Sequence, residues 1–236
     1  MIRCFIGYDH RQIVSYSVLA QSIIEHASEP VAITPLVLPT LPLKRQGLTP
    51  FTYSRFLVPH LCDFRGRALF LDADIALFGD VVDLFKVAKD NPGHAVYVRK
   101  SPLKFEWASV MLFDCGHYAN RVLTPEYIET AEKLHTIGWL KPEHIGDLPP
   151  EWNHLVGYDE PNPDAKLVHY TQGVPCHAET SGTEHQLGWM KIAEKVMSTA
   201  TWWELMGTSV HAKPVVERLI KEGRLDPSQV GEKVVA

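Results

Sequence analysis

No stretch of this sequence reaches the ~20 consecutive apolar residues that a bilayer-spanning helix takes. Its opening residues also lack the apolar core and small-residue cleavage site of a secretory signal. A cytoplasmic protein without a transmembrane segment is the expectation. Cysteine is sparse: Cys4, Cys62, Cys115 and Cys176 lie far apart and form no C-x-x-C pair. That spacing argues against a disulfide framework or a zinc site and for reduced, buried thiols. There is no excess of basic residues, the net charge being -5, so a nucleic-acid partner is not expected. The nearly balanced charges of residues 210–236 are not those of a polybasic membrane tail. No G-x-G-x-x-G follows a strand, which removes support for a dinucleotide site. Internal repeats and low-complexity tracts are missing as well.

What the chain does have is 236 residues, 45% of them hydrophobic and 22% charged, enough for one large core with a small C-terminal extension. Its organising stretch is Arg67-Ala68-Leu69-Phe70-Leu71-Asp72-Ala73-Asp74-Ile75. An apolar run ending in two carboxylates reads as a buried parallel strand that opens onto a crevice. Side chains alternate along a strand, so Asp72 and Asp74 project to one side if the extended geometry persists, and both can reach one hard divalent cation. The plainer alternative is a solvated strand end.

Strand and helix signals alternate along the rest. Ile2 to Ile6 reads as the first strand, halted by Gly7-Tyr8-Asp9-His10, and Arg11 to Ala27 as a helix with Tyr16, Leu19, Ala20, Ile23, Ile24 and Ala27 on one face. In the loop between them, Tyr8 suits stacking on a base, and Asp9 either accepts from that nucleotide or caps the helix. Arg11 meets a phosphate or faces solvent. Val31 to Leu38 is a second strand, followed by a long loop over 39–53 broken by Pro39, Pro42, Gly47 and Pro50. Arg55 then opens a helix that feeds the carboxylate strand, placed either as a diphosphate clamp or as a surface charge.

Further on, Asp80 caps a helix over Val81–Lys89, and His94–Val98 and Trp107–Phe113 read as strands. Ser109, polar within an apolar run, contacts either a bound sugar or neighbouring backbone. Pro125–Leu134 reads as a helix capped by Thr124. In the turn Leu148–Asn153, Trp152 is either core packing or a platform for a sugar ring. Lys166–Thr171 is a short strand whose His169 is a candidate third ligand beside Asp72 and Asp74. From about 180 onward the pattern is helical, clearest over Met190–Met197 and Val215–Ile220. Trp189, Trp202 and Trp203 are candidates for an exposed patch or for packing.

In order along the chain stand Gly7-Tyr8-Asp9, Tyr53-x-Arg55, Phe70-Leu71-Asp72-Ala73-Asp74, a Leu-Pro-x-x-Trp-Asn turn and His169-Tyr170-Thr171-x-Gly173-x-Pro175. The set resembles glycosyltransferase family 8, of the GT-A fold, and covers residues 1–178. The resemblance implies an α/β, Rossmann-like, mostly parallel sheet flanked by helices. It places a nucleotide-sugar-binding catalytic domain over 1–178, with a helical extension over 179–236 packed on it. By the same resemblance Asp72, Asp74 and His169 bind Mn2+ (or Mg2+) on the diphosphate of a UDP-sugar, the donor. Tyr8 and Asp9 match the uridine loop, Arg55 a donor-binding arginine, and Arg11, Ser109 and Gly173 join the donor site. The activity implied is hexosyl transfer to an unspecified glycan, lipid or protein acceptor, with retention of configuration.

Two motifs depart from the family. The Asp-Gln pair near the reacting sugar carbon has no counterpart in His144-Ile145-Gly146-Asp147, which leaves the catalytic nucleophile unassigned. The family's Gly-x-x-Lys-Pro becomes Gly173-Val174-Pro175, so the phosphate-gripping lysine is missing, with Arg11, Arg55 or His177 available to replace it. Two alternatives follow: a non-catalytic nucleotide-sugar or glycan-binding protein of the same fold, or a haloacid-dehalogenase-like phosphatase with Asp72 as nucleophile and Asp74 as acid.

Overall fold

The apolar runs condense into two sheets that meet at the paired carboxylates. In the computed structural model of the chain, residues 1–197 and 212–229 are described. The strands are β1 (Ile2–Gly7), β2 (Val31–Leu36), β3 (Arg67–Leu71), β4 (Ile75–Leu77), β5 (Val96–Val98), β6 (Val110–Asp114), β7 (Ile145–Asp147), β8 (His154–Leu155) and β9 (Leu167–His169). Six of them form one sheet in the order β2-β1-β3-β6-β5-β7, and β4-β9-β8 form a second. In the large sheet β1 runs parallel to β2 and β3, and β5 parallel to β7. Strand β6 is antiparallel to both β3 and β5. The sheet is thus mixed but mostly parallel, as the family resemblance implies.

Helices α1 (Ile13–His26), α2 (Val58–Leu61), α3 (Val81–Asp90), α4 (Pro125–Thr130) and α5 (Gln186–Met197) complete this part of the chain. Strand β3 is buried from Ala68 to Leu71 and lies between β1 and β6, at the centre of the larger core. A second core gathers Val18 of α1, Ala76, Val168 and Tyr170, with Trp189, Ile192 and Ala193 of α5. Helix α1 serves both cores, since Leu19 and Ile23 face the first. It is also tied to β4, whose Leu77 N–H donates to the buried Ser22 hydroxyl at 3.0 Å. Ile24, grouped with the buried face by its spacing, is exposed. Trp152 is 2% exposed and belongs to the core, which removes it as a sugar platform.

Several element boundaries depart from the sequence pattern for local reasons. The strand expected over Trp107–Phe113 begins only at Val110, because Lys104–Ser109 winds into a 3-10 turn that the Ser109 hydroxyl closes by donating to Glu106 O at 2.6 Å. The helix expected to reach Leu134 stops at Thr130, and a 3-10 turn over Leu134–Thr136 follows between left-handed Lys133 and Ile137. Pro35 is accommodated because β2 lies on the sheet edge, where a missing N–H costs no ladder bond. Gly7 ends β1 without a Cβ that would lie 2.5 Å from the Phe51 ring, so the 39–53 loop can close over that end.

The chain divides into two compact units, Met1–Val196 and Met197–Ala236. In the second, α6 (Ala212–Lys221) ends in a turn at Gly223, whose φ is +68°, with Arg224 N–H donating to Leu219 O at 2.9 Å. That closure is the common glycine stop of a helix. Trp202 and Trp203 lie outside the described residues. Among the described residues no helix is long and apolar enough to cross a membrane.

His135 on the Leu134–Thr136 turn stacks on Phe105 at 5.0 Å and meets the edge of Phe56 at 5.3 Å. Burial, aided by the nearby Arg55 charge, pushes its pKa down to about 4. The folded state therefore resists a proton that the unfolded chain accepts near 6.5. Stability contributed by neutral His135 is complete above that value and drains away as the pH falls toward 4. Urea denaturation at pH 7 and pH 4.5 should show a smaller acid-induced loss for His135→Phe than for wild type.

Candidate functional site

The site forms where the chain leaves one sheet for the other. β3 ends at Leu71, and Asp72 N–H still follows the ladder by donating to Ser109 O at 2.9 Å. The extended geometry does not persist, however: residues 73 and 74 turn, and the chain re-enters as β4 of the second sheet. The register of β4 on β9 pairs Ile75 with His169. Tyr170 N–H donates to Asp74 O at 3.0 Å. Those bonds set the His169 ring beside the Asp74 carboxylate, with Nε2 3.3 Å from Oδ1. Donor atoms of Asp72, Asp74 and His169 all lie within 4.8 Å of one another.

Arg55 stands behind Asp72. Its Nη1 donates to Asp72 Oδ2 at 3.1 Å and to Ala108 O at 2.8 Å, while Nη2 lies 3.0 Å from Oδ1. The guanidinium sits against the Phe51 and Phe70 rings, 5.6 and 5.1 Å from their centroids, and is buried with its partner. Taking two such charges out of water is costly, and only close, multiple contacts offset it. Burial, reinforced by the Asp74 charge, still pushes the Asp72 carboxyl up to about 6 against the pull of Arg55. Burial works against ionisation of Asp74 too, but the His169 imidazole outweighs it and holds that carboxyl below its usual range. For His169 burial opposes protonation, yet Asp74 above all, then Asp72 and Glu106, raise its pKa.

The donor set fits a divalent cation. Asp72 Oδ1 is buried and, although 3.0 Å from Arg55 Nη2, receives no hydrogen bond, so it keeps acceptor capacity within 4.8 Å of the other two donors. Two carboxylate oxygens and one imidazole nitrogen suit a hard to borderline ion such as Mg2+ or Mn2+. A second group with metal-ligand residues, His154, Glu184 and His185, is different in kind. There Glu184 takes His154 Nε2 at 2.8 Å and Asn162 N–H at 2.7 Å, while His185 Nε2 meets Asn162 O at 2.8 Å. Its donor atoms are already matched to one another.

The other candidates from the sequence separate into two groups. A cleft of ≈ 830 Å³ is lined by Asp74 and Gly173 together with Arg11, Leu48 and His177. A neighbouring cavity of ≈ 510 Å³ holds Tyr8 against Leu38 and Pro50, and shares Arg11 with the cleft. Tyr8, Arg11, Asp74 and Gly173 are thus brought to one continuous face of the protein. Asp9 is fully buried and its carboxylate is occupied: it accepts from Arg11 N at 2.9 Å, capping the His10–Gln12 turn, and from Arg11 Nη2 at 2.6 Å. Arg55 and Ser109 stand behind the triad rather than in the cleft. The Ser109 hydroxyl donates to Glu106 O and accepts from Asn153 Nδ2 at 3.0 Å. Glu106 and Asn153 are the site residues that sequence reasoning missed. Neither belongs to a spaced pair of chemistry-bearing residues, and only the Trp-Asn end of the Leu-Pro-x-x-Trp-Asn turn pointed toward Asn153.

No protein-family model matches the chain. It is 35% identical over 227 residues to Protein CDI of Arabidopsis thaliana, an alignment covering 82% of this chain and 86% of that protein. Among solved structures it superposes on the bifunctional glycosyltransferase WbbM with a TM-score of 0.63 at 14% identity, over 86% of this chain, and spans 50% of the WbbM chain. The galactosyltransferase LgtC, solved with donor and acceptor sugar analogues, gives a TM-score of 0.59 at 12% identity, over 86% of this chain and 99% of that one. At such identities the likeness establishes the architecture, which is that of the GT-A glycosyltransferases.

Removing Arg55 should expose how much the triad depends on it. Arg55→Ala leaves Asp72 buried without its partner and is expected to cost about 3–5 kcal/mol in urea denaturation at pH 7. Adding Asp72→Asn should recover a large part of that loss, because no unpaired charge then remains.

Proposed function

The chain belongs to the same family as the Arabidopsis thaliana Protein CDI and has the GT-A fold, and from that premise we propose that it is a metal-dependent glycosyltransferase of the family 8 type. The reaction is transfer of a hexosyl group from a UDP-sugar to a sugar-bearing or other hydroxyl acceptor, with retention of configuration. One observation carries this reading: Asp72 and Asp74 at the end of β3 converge with His169, almost a hundred residues further on, at the handover between the two sheets, and Asp72 keeps a buried oxygen that receives no hydrogen bond.

In this reading Asp72, Asp74 and the Nε2 atom of His169 hold Mn2+ or Mg2+. The cation, when bound, supplies positive charge against the diphosphate leaving group. The chain's own residues do the rest of the binding. Tyr8 offers a ring face to the base in the smaller cavity. Asp9 fixes Arg11 at the boundary of both cavities, where its guanidinium meets phosphate. His177 lines the same cleft and, with Arg11, stands in for the lysine missing after Gly173. Gly173, with φ +113°, turns the chain after β9 at the rim of that cleft. Arg55 keeps Asp72 ionised and aimed.

A phosphatase using Asp72 as nucleophile has little support, since both Asp72 oxygens lie against Arg55. One second reading is favoured by a specific observation. Asp147, in the His144–Asp147 segment where the Asp-Gln pair has no counterpart, is exposed and accepts from Lys100 N–H at 3.0 Å. A protein that binds a nucleotide sugar without turnover fits that arrangement. Thermal unfolding with UDP and Mn2+, each alone and together, tests the common core. The pair should raise the melting temperature more than the sum of its members, and Asp74→Ala should abolish the metal-dependent part. No joint effect sinks the proposal. UDP release from a panel of UDP-hexoses then separates transfer from binding alone.

A further inference from the structure

His169 has a second face that the triad does not use. Its ring is 5% exposed, Nε2 points to Asp74, and Nδ1 is buried without a hydrogen-bond partner. A buried imidazole nitrogen left unmatched is costly, so what lies opposite it matters. Opposite it is the Glu106 carboxylate, with Oε2 at 3.8 Å. Glu106 is mostly buried too, its side chain 22% exposed.

The turn that carries Glu106 is built to hold still. Glu106 O accepts from the Ser109 hydroxyl at 2.6 Å and from Asn153 Nδ2 at 3.3 Å, and Asn153 also donates to that hydroxyl. Trp107 Nε1 donates to Ser101 O at 2.8 Å at the entrance to the turn. Ser109 O receives Asp72 N–H, so the same turn is bonded to the strand end that carries the first carboxylate. Asn153 is 1% exposed and precedes β8, the strand paired in parallel with β9 and His169. Three segments are therefore fastened together around the His169 ring, and Glu106 is the ionisable side chain they aim at its free nitrogen.

We propose that Glu106 is the positioning residue for His169. Resting on the metal-binding reading above, its carboxylate faces Nδ1 as hydrogen-bond acceptor and keeps the proton on that nitrogen, which leaves the Nε2 lone pair free for the cation held with Asp72 and Asp74. Ligand histidines in metal sites are commonly oriented through the far nitrogen, and loss of such a partner typically weakens metal binding about 10–100-fold. Ser109 and Asn153 act one step further back by fixing the turn. The Trp-Asn half of the Leu-Pro-x-x-Trp-Asn turn thereby gains a role: Trp152 fills the core and Asn153 braces the histidine's partner. Glu106 touches the ligand's far side and is not placed here among the catalytic groups.

Calorimetric titration of Mn2+ in the presence of UDP, on wild type, Glu106→Gln, Glu106→Ala and Asp74→Ala, tests this. Electron spin-echo spectra of the Mn2+ in each sample report whether an imidazole nitrogen is bound. Glu106→Ala should bind Mn2+ about 10–100-fold more weakly and lose most of the nitrogen modulation. Glu106→Gln, whose amide oxygen still accepts from Nδ1–H, should keep that modulation and lose clearly less affinity. Unchanged affinity and modulation in Glu106→Ala overturn the proposal while leaving the metal site intact. A matching loss of both in Glu106→Gln and Glu106→Ala, accompanied by lower melting temperatures, also overturns it, since that marks a merely structural side chain. Wild type that takes up no Mn2+ with UDP instead refutes the metal-binding reading itself.

Discussion

Everything at the site follows from one short passage of chain, the three residues between β3 and β4. β3 is locked on both sides inside the large sheet, and β4 is locked to β9 in the small one. The intervening residues have almost no freedom in direction, so the two carboxylates are delivered by two sheets at once. His169 arrives by the same register, as the partner of Ile75. No loop has to be ordered to assemble the three donors. Groups placed on strand ends are held more closely than groups on loops, and a cation with fixed distance requirements needs that.

The cost of this arrangement is electrostatic. Two carboxylates share a largely buried space, and Asp72 in particular sits where water cannot solvate it. Arg55 answers from a different segment, through Phe51 and Phe70, whose rings flank the guanidinium. The aromatic surroundings deepen the pair's burial and strengthen its attraction in the same stroke. The net result is a carboxyl that burial still holds raised, at about 6, against the pull of the guanidinium beside it.

The fold was largely legible from the sequence because its strongest signals are periodic. Leu69-Phe70-Leu71 and the apolar residues of Ile2–Ile6 bury as their spacing demands, and on the face read for Arg11–Ala27 Leu19 and Ile23 are buried, Tyr16, Ala20 and Ala27 half-buried and Ile24 exposed. Short elements were harder to see. β4, β7 and β8 have two or three residues each, too few to show a period, and exist because a neighbouring strand supplies the ladder. The 3-10 turn at Lys104–Ser109 was hidden for another reason: a serine hydroxyl competes with the backbone and closes the turn inside an apolar run. At the site, Asp72 and Asp74 stood out by residue type and spacing and His169 through the family resemblance, whereas Glu106 owes its place to a turn that sequence pattern does not encode. The Asp72 partner of Arg55 was invisible for the same reason, since that contact is set by tertiary packing, whereas Asp9 meets Arg11 only two residues on, as the cap its position allows.

Arg11 forms part of the rim of both hollows on this face, fastened at its guanidinium to a carboxylate that has no exposure to solvent. Such a tether limits the swing of a long side chain at the place where the linings of the two hollows overlap. The rotamer entropy that an arginine ordinarily gives up on meeting a ligand is here partly spent in folding, so the threshold between the hollows is preset in position.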